Sequence, residues 1–280
     1  MTSGTAAAAQ GFGPVATLGK YLEFFRISFL TILAFRARYY VGIVSYIVYI
    51  AVYHAIWTAV YKHSTDIAGF DLASMTTYVA VGLISRSFMF NNLDRDIEAR
   101  VIDGSLSMDL LKPVDFQGMQ YARVFGEGLF RLVLFALPCA VVAFPMFGVS
   151  WPASFGAFLK FALSSALGAL VFTNLNFMVG ALALPLRSIE GIAWAKQNLF
   201  QFLSGLLVPF AFLPPGLATV LSWLPTAGIS HTPLEFYLGR LPGAEGWNAL
   251  ALQAAWALIT LLAGRALWNV LIRKVTIQGG

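Results

Sequence analysis

The sequence predicts an all-α integral membrane protein with six transmembrane helices, and three observations lead to this fold class. First, 59% of the 280 residues are hydrophobic and only 11% are charged, whereas a soluble domain carries about 25% charged residues. Second, apolar stretches of about 20 residues, long enough for a helix to cross a bilayer, recur along the chain. Third, the basic residues gather on one side of the resulting topology. This composition excludes a soluble globular domain and a disordered chain.

The first 40 residues are interpreted as a tail followed by a surface helix. Residues 1–13 contain no positive segment ahead of an apolar core, so we expect a cytoplasmic tail rather than a cleavable signal peptide. Between Leu18 and Tyr40, charged residues such as Lys20 and Glu23 alternate with apolar ones. This pattern favours an amphipathic helix that lies on the membrane without crossing it. Its predicted apolar face comprises Leu22, Phe25, Phe29, Ile32 and Leu33.

Residues 41–280 are predicted to form one transmembrane domain with six spans. The third span contains Pro138 and Pro145, which a bundle tolerates when neighbouring groups satisfy the freed carbonyl oxygens. The predicted spans are Val41–Tyr61, Ser74–Phe90, Leu129–Val149, Phe155–Leu184, Ile192–Leu213 and Trp247–Ile272. Because their number is even, both termini are expected on the same side of the membrane.

Proline and glycine interrupt the apolar segment between the fifth and sixth spans. From Pro214 to Gly243 they recur too often for a continuous spanning helix, yet residues such as Trp223 would make a free loop insoluble. The segment is therefore predicted to form two short re-entrant helices on the extracytoplasmic side. Glu235 and Arg240 are expected at the water interface.

The basic residues orient this topology. Of the 18 lysines and arginines, all except Lys62, Lys160 and Arg240 fall on the side that holds both termini and residues 91–115. The positive-inside rule places that side in the cytoplasm. The net charge of +5 is thus a signal of membrane orientation and of attraction to anionic lipid, and nucleic-acid binding is not needed to explain it.

The chain lacks the motifs of an ATPase and of a metalloenzyme. Gly19-Lys20 is the nearest approach to a phosphate-binding loop, but Pro14 stands where its first glycine should be. The three histidines are scattered over different segments, which argues against a metal site. We therefore expect a non-catalytic chain that binds no cofactor. An intramembrane protease using Ser204 and His231 is disfavoured because the glycine motif of such enzymes is missing.

The most charged segment follows the second predicted span, on the cytoplasmic side. Residues 91–104 read as a short helix ended by Gly104, with apolar and charged side chains arranged for contact with a peripheral partner. A merely solvated loop remains the alternative. The candidate contact residues are Leu93, Asp94, Ile97, Glu98, Arg100, Val101 and Asp103.

Polar-tipped aromatic residues recur along the first span at helical spacing. Lipid-facing helices usually keep Tyr and Trp at the membrane interfaces, so a stripe at mid-depth indicates either a protein interface or a substrate-lined cavity. Residues of span five could line the same cavity. The candidates for a substrate path are Tyr46, Tyr49, Tyr53, Trp57, Asn198, Gln201 and Phe202. The scarcity of buried charge favours a hydrophobic or amphipathic substrate such as a lipid, drug or peptide.

Several motifs resemble those of one transporter family. IDGSLSMDLLKPVD (Ile102–Asp115) is similar to the I-x-x-G-x-[IL]-x-x-x-L-L-x-P-V signature of bacterial type-2 ABC exporter permeases, in the branch of ABC-2 family permeases. FLSGLLVPFAFLPPGL (Phe202–Leu217), LPTAG (Leu224–Gly228), YLGRLPG (Tyr237–Gly243) and the terminal IQGG also resemble that branch. The resemblance extends in the same order from Tyr21 onward.

The resemblance implies a subunit with an N-terminal elbow helix at Leu18–Arg38, a cytoplasmic coupling helix at Leu93–Asp103, and re-entrant helices before the last span. It also implies a bacterial inner-membrane complex of two permeases, identical or related, with two ATPase subunits that bind ATP and Mg²⁺. The function it implies is export driven by those separate ATPases. The alternative function is a self-contained, ion-coupled secondary carrier, and an intramembrane enzyme is a third, weaker possibility.

Overall fold

The structure is a computed structural model that describes residues 14–34 and 37–273. The predicted tail, residues 1–13, and the terminal residues 274–280 lie outside the described residues. Within the described ranges the chain is helical, and an isolated bridge between Ile67 and Phe70 is the only β-pairing. The α-helices are α1 (Pro14–Ala34), α2 (Ala37–Val60), α3 (Leu72–Met89), α4 (Leu93–Ile102), α5 (Leu106–Leu110), α6 (Phe116–Arg131), α7 (Leu137–Phe147), α8 (Phe155–Ala181), α9 (Ala183–Leu186), α10 (Glu190–Leu203), α11 (Pro215–Trp223), α12 (His231–Tyr237) and α13 (Gly243–Ile272).

Four helical segments in the described part of the chain are long and apolar enough to cross a membrane. They match the predicted spans one, three, four and six. Their bounds are Val41–His63, Phe116–Phe147, Phe155–Leu186 and Gly243–Ile272. At 1.5 Å per residue, even the shortest, with 23 residues, is about 35 Å long and exceeds the roughly 30 Å of bilayer hydrocarbon.

The second predicted span corresponds to α3, the most enclosed helix of the described residues. Every residue from Met75 to Ser85 is buried, on all sides of the helix. Asp71 caps its N-terminus by accepting a hydrogen bond from the Ser74 amide at 2.9 Å. A helix buried on all sides belongs in the interior of a bundle, so α3 is the central helix of the fold.

The fifth predicted span differs from the structure in its length. Helix α10 ends at Leu203 instead of continuing to Leu213, and its 14 residues cover only about 21 Å. The chain turns at Gly205, whose φ of +67° is a left-handed conformation that favours glycine. A Cβ at this glycine would also approach the ring of Phe210 to 2.8 Å. The helix therefore stops where both conformation and space require glycine.

The third predicted span begins earlier than expected. Asp115 caps α6 by accepting a hydrogen bond from the Gly118 amide at 2.8 Å, and the helix then runs from Phe116 into α7. A π-helical turn, Leu132–Ala136, joins the two just before Pro138. Proline removes a backbone donor from a helix, and a π-turn is one way for the chain to accommodate this defect.

The N-terminal helix packs along α6 in the same direction. A Cβ at Gly126 would collide with the backbone carbonyl of Phe25, and the ring of Phe29 meets that of Phe130 edge-on, with centroids 5.6 Å apart. The residues predicted to form the apolar face of α1 therefore lie in two environments. Phe25 and Phe29 face α6, whereas Leu22 is exposed. The side chains of Ile32 and Leu33 lie outside the described residues.

The segment between α10 and α13 contains two short helices, α11 and α12, joined by a 3-10 turn at Pro225–Ile229. Helix α12 packs into the interior against α8. Glu235 consequently differs from its predicted place at the water interface: its side chain is only 14% exposed and lies 4.0 Å from His231 Nδ1. Arg240 also contacts other parts of the chain. Its guanidinium carbon lies 3.5 Å from the centre of the Phe70 ring, and its Nη2 donates a hydrogen bond to the Gly69 carbonyl at 2.6 Å.

Candidate functional site

A helix, α4, forms where the coupling helix was predicted, but two of its candidate contact residues, Leu93 and Ile97, face the chain's own interior. Leu93 and Ile97 are fully buried in a cluster with Phe177 of α8. The close approach of α4 to α8 depends on Gly180 of α8, where a Cβ would come within 2.9 Å of Ile97 Cδ1. These two apolar residues, which the sequence suggested as partner contacts, instead fix α4 to α8.

A buried ion pair holds the polar edge of α4. Lys196 Nζ of α10 donates to Asp94 Oδ2 at 2.5 Å, and the two side chains are only 7% and 4% exposed. The same ammonium donates to Asn176 Oδ1 at 2.5 Å. Asn176 Nδ2 in turn donates to the carbonyl of Asn91 at 2.9 Å. The ion pair therefore lies in a hydrogen-bonded network that satisfies a buried charge.

One helical turn further along α4, Glu98 makes a second contact with the start of α10. Its carboxylate accepts a hydrogen bond from the Ile189 amide at 2.6 Å. Ile189 immediately precedes α10, so Glu98 satisfies one of the amides that a helix N-terminus leaves without an internal partner. A carboxylate at this end also interacts favourably with the helix dipole.

Beyond α4, the chain is fixed by three cations around one carboxylate. Asp109 accepts hydrogen bonds from Arg100, from Lys112 Nζ at 2.5 Å and from Arg123 at 3.4 Å. Burial alone would raise the pKa of Asp109, but the hydrogen bond from Lys112 and the neighbouring positive charges outweigh it and hold the pKa below its ordinary value. Arg100, a predicted contact residue, thus has an internal partner.

The most exposed apolar side chains of this region lie at the last residue of α4 and in the loop that follows it. Ile102, Met108 and Leu111 are 67%, 66% and 79% exposed, respectively. Val101 is half-buried and Asp103 is exposed, with the latter accepting a hydrogen bond from the Ser105 amide at 2.8 Å. We call Ile102, Met108 and Leu111 the apolar turn. Sequence reasoning missed it, although Gly104, which has a φ of +76°, marks where the chain reverses.

The aromatic stripe of α2 is divided between two environments. Tyr46 meets the ring of Phe135 edge-on with centroids 5.0 Å apart, and Trp57 meets Phe212 at 5.4 Å. Tyr53, like Tyr46 and Trp57, is half-buried against a cluster of buried residues that includes Ile50 and Tyr78. Tyr49 is exposed, and its ring stacks on that of Tyr53 at 6.5 Å. The stripe therefore packs mainly within the chain and presents one phenol outward.

The three candidates on α10 line a cavity of about 300 Å³. Asn198 and Gln201 supply amide groups and Phe202 an aromatic wall. The other lining residues are Leu207, Val208 and Leu213. None of the four stripe residues is among the described residues that line it, so the two groups of candidates do not share this cavity. The lining combines a largely apolar surface with two uncharged hydrogen-bonding groups, which is typical of a site for an amphipathic molecule.

A family model described as ABC-2 family transporter protein matches residues 47–279. The match covers well over half of the chain. This chain belongs to the ABC-2 transporter family. It is therefore a multi-pass membrane permease of an ABC transporter, and its family associates with ABC ATPases. A comparison with curated proteins found no match. Family membership favours the ATP-driven permease over the ion-coupled carrier considered from the sequence.

Proposed function

We propose that this ABC-2 permease exports a hydrophobic or amphipathic substrate from the cytoplasm or the inner leaflet. It crosses the bacterial inner membrane six times, with both termini in the cytoplasm. It assembles with a second permease, identical or related, and with two ATPase subunits that bind ATP and Mg²⁺. The apolar turn is the observation that carries this proposal, because an exposed apolar group on a rigid cytoplasmic loop fits a protein partner.

The setting of the apolar turn supports docking on an ATPase. The ion pairs of Asp109 fix the loop in place, so little conformational entropy is lost when a partner binds. Asp103 and Lys112, which directly follow Ile102 and Leu111 in the chain, give the three large apolar side chains a charged rim, as in protein interfaces. In this proposal α4 supports the contact from behind, and the apolar turn makes it.

Two further helices complete the six spans in this proposal. Helix α3, with 18 residues, is about 27 Å long, which is close to the hydrocarbon thickness. Helix α10 is too short alone, so residues 204–213 complete the fifth crossing in irregular backbone. Such backbone is tolerated at membrane depth where it lines a cavity. The cavity walls include Leu207, Val208 and Leu213, which satisfies that condition.

The cavity supports the substrate class. The side-chain amides of Asn198 and Gln201 can form hydrogen bonds with the polar head of an amphipathic substrate. Phe202 and the three aliphatic residues can contact its apolar chain. No charged side chain lines it within the described residues. This lining suits a molecule that is already dissolved in the membrane better than a small inorganic ion.

Co-purification tests the proposal. The tagged permease, expressed from its native operon or with its neighbouring ATPase, should retain an ATPase subunit at roughly equal stoichiometry. The triple variant Ile102→Asp/Met108→Asp/Leu111→Asp should lose most of that ATPase while keeping its own thermal stability, because it alters only exposed side chains. ATPase retained at the wild-type level by the triple variant would contradict docking through the apolar turn.

The matched control is Trp151→Asp/Phe155→Asp. These residues are as exposed as the apolar turn, at 80% and 76%, but they lie on the side proposed to be extracytoplasmic. The control introduces the same kind of charge in place of an exposed apolar residue, and it should retain the ATPase. Loss of the ATPase from both variants would indicate a general defect instead of a lost contact.

A further inference from the structure

One face of α4 makes two contacts with the α10 segment, one at Lys196 inside α10 and one at Ile189, the residue just before it. Asp94 and Glu98 are four residues apart on α4, so their side chains project from the same side. Their partners, Lys196 and the Ile189 amide, are seven residues apart, which is close to two full turns of helix. Asp94 pairs with the later partner and Glu98 with the earlier one, so the two helices run antiparallel along this contact.

The contact at Asp94 is costly to break. Both charges are removed from water, and separating them would leave an ammonium and a carboxylate buried without their counter-ions. Two further groups hold the ammonium in place, because Lys196 Nζ lies 5.8 Å from the centre of the Phe172 ring and donates a hydrogen bond to Asn176 as well. A shift of α4 by even one residue along α10 would break these bonds together.

The opposite face of α10 forms the wall of the cavity. At 100° per residue, Ala193, Lys196 and Phe200 fall on one side of the helix, and Asn198, Gln201 and Phe202 fall on the other. The exposure pattern agrees, since Ala193 and Lys196 are buried and Phe202 is exposed. The cavity wall lies about one turn along α10 from Lys196. A displacement of α10 that is imposed at Lys196 therefore also moves this wall.

We propose that the Asp94–Lys196 pair and the Glu98–Ile189 contact form a clamp that makes the cavity wall follow α4. Lys196 is then a positioning residue, which touches neither the ATPase nor the substrate. It transmits a movement of the ATPase, through α4, to the cavity that holds the substrate. This inference rests on the proposed function, because it requires an ATPase that acts on the loop after α4. It adds the specific residues through which the ATPase changes the cavity.

The experiment measures how the cavity responds to nucleotide and needs no knowledge of the substrate. Gln201→Cys is introduced in a Cys139→Ser background, and the complex with its ATPase is reconstituted in vesicles. The rate of reaction with a water-soluble maleimide is compared without nucleotide and with ATP plus vanadate. We expect the wild-type clamp to give at least a threefold difference between the two states.

The decisive variant is Asp94→Asn/Lys196→Met, which removes both charges together and leaves neither ion unpaired. We expect it to bind the ATPase and hydrolyse ATP within twofold of the wild-type rate, while the difference in labelling falls to less than 1.5-fold. Exchanging the charges, in Asp94→Lys/Lys196→Asp, should restore part of the difference. If the neutral variant does not assemble, Glu98→Ala removes only the second contact and should also weaken the response.

Arg265→Met is the matched control. Arg265 forms an ion pair of similar length with Asp115, at 2.6 Å, but it does not join α4 to α10, so the nucleotide response should persist in this variant. A wild-type response in the neutral Asp94/Lys196 variant, or in Glu98→Ala if that variant must be used, would overturn the clamp. A wild-type complex without bound ATPase, or with labelling that ignores nucleotide, would refute the proposed function and the clamp with it.

Discussion

Tyr21 and Asp115, which are 94 residues apart, meet at the start of α6, where the Asp115 amide donates a hydrogen bond to the Tyr21 hydroxyl at 3.1 Å. The same aspartate caps α6 through its carboxylate and forms an ion pair with Arg265 of α13. One residue thus fixes the relative positions of three helices. The chain between the central helix α3 and the third span is held by specific polar contacts as well as by apolar packing.

Gly126 controls the approach of α1 to α6. Gly126→Val should push the helices apart and lower the free energy of unfolding by about 1–3 kcal/mol, because a Cβ has no room beside the Phe25 carbonyl. Thermal unfolding of the detergent-solubilised permease measures this change. Gly19→Ala on α1 is the control, since nothing lies within 4 Å of a Cβ there, and it should leave stability unchanged or slightly raised.

Ile97 should contribute to stability rather than to docking. Ile97→Ala creates a cavity under α4 and is expected to cost about 2–5 kcal/mol of unfolding free energy, measured on the permease alone. Ile102→Ala removes an exposed side chain and should change it by less than about 0.5 kcal/mol. Equal stability losses in the two variants would show that α4 does not pack as described.

Asp109 should make the stability of the loop after α4 depend on pH. Its folded pKa lies below the ordinary value of 3.8, so its contribution is present above that value and is lost as the pH falls through the lower folded pKa. Asp109→Asn should therefore lower the unfolding free energy by about 2 kcal/mol at pH 7. The difference from wild type should shrink as the pH falls below about 4.

Glu23→Gln provides the comparison for Asp109. Glu23 pairs with Arg26 at 3.3 Å, but both side chains are mostly exposed, and such pairs contribute little. We expect less than about 0.5 kcal/mol of destabilisation at any pH. A similar effect from both substitutions would mean that the three cations around Asp109 add nothing.

Tyr49 is the stripe residue best placed to report on a substrate path. Tyr49→Cys in a Cys139→Ser background should react with a maleimide, because its side chain is exposed, whereas Tyr46→Cys should react at least tenfold more slowly because Tyr46 packs on Phe135. Reaction of Tyr49→Cys with a charged, membrane-impermeant maleimide supports a wet path. Reaction with only a lipid-soluble maleimide would show that this face meets lipid or another helix.

The long spans could be predicted because their signal is local. The segments Phe155–Leu186 and Gly243–Ile272 are apolar over enough residues that length and composition decide their structure. The end of α10 could not be predicted in this way. Gly205 stands inside an apolar run, and only the backbone conformation and the nearby Phe210 ring show why the helix stops there.

The candidate site was predictable in part. The short helix before Gly104 follows from its sequence pattern, and α4 has nearly the expected bounds. Which face of it would be buried depended on Gly180, far along the chain, because that glycine lets α8 come close. The partner of Asp94 was equally hidden, since Lys196 is 102 residues away and reads in the sequence as one more cytoplasmic cation.

The helical segment Phe116–Phe147 has 32 residues and is about 48 Å long, roughly 18 Å longer than the hydrocarbon layer is thick. If the segment tilts in the bilayer, its excess length would act as a lever arm on the side where α1 is attached. For an arm of that length, a tilt of about 10° moves the far end by about 3 Å. Because Tyr21 and Phe25 are in close contact with α6, such a tilt would carry the first helix along with the arm.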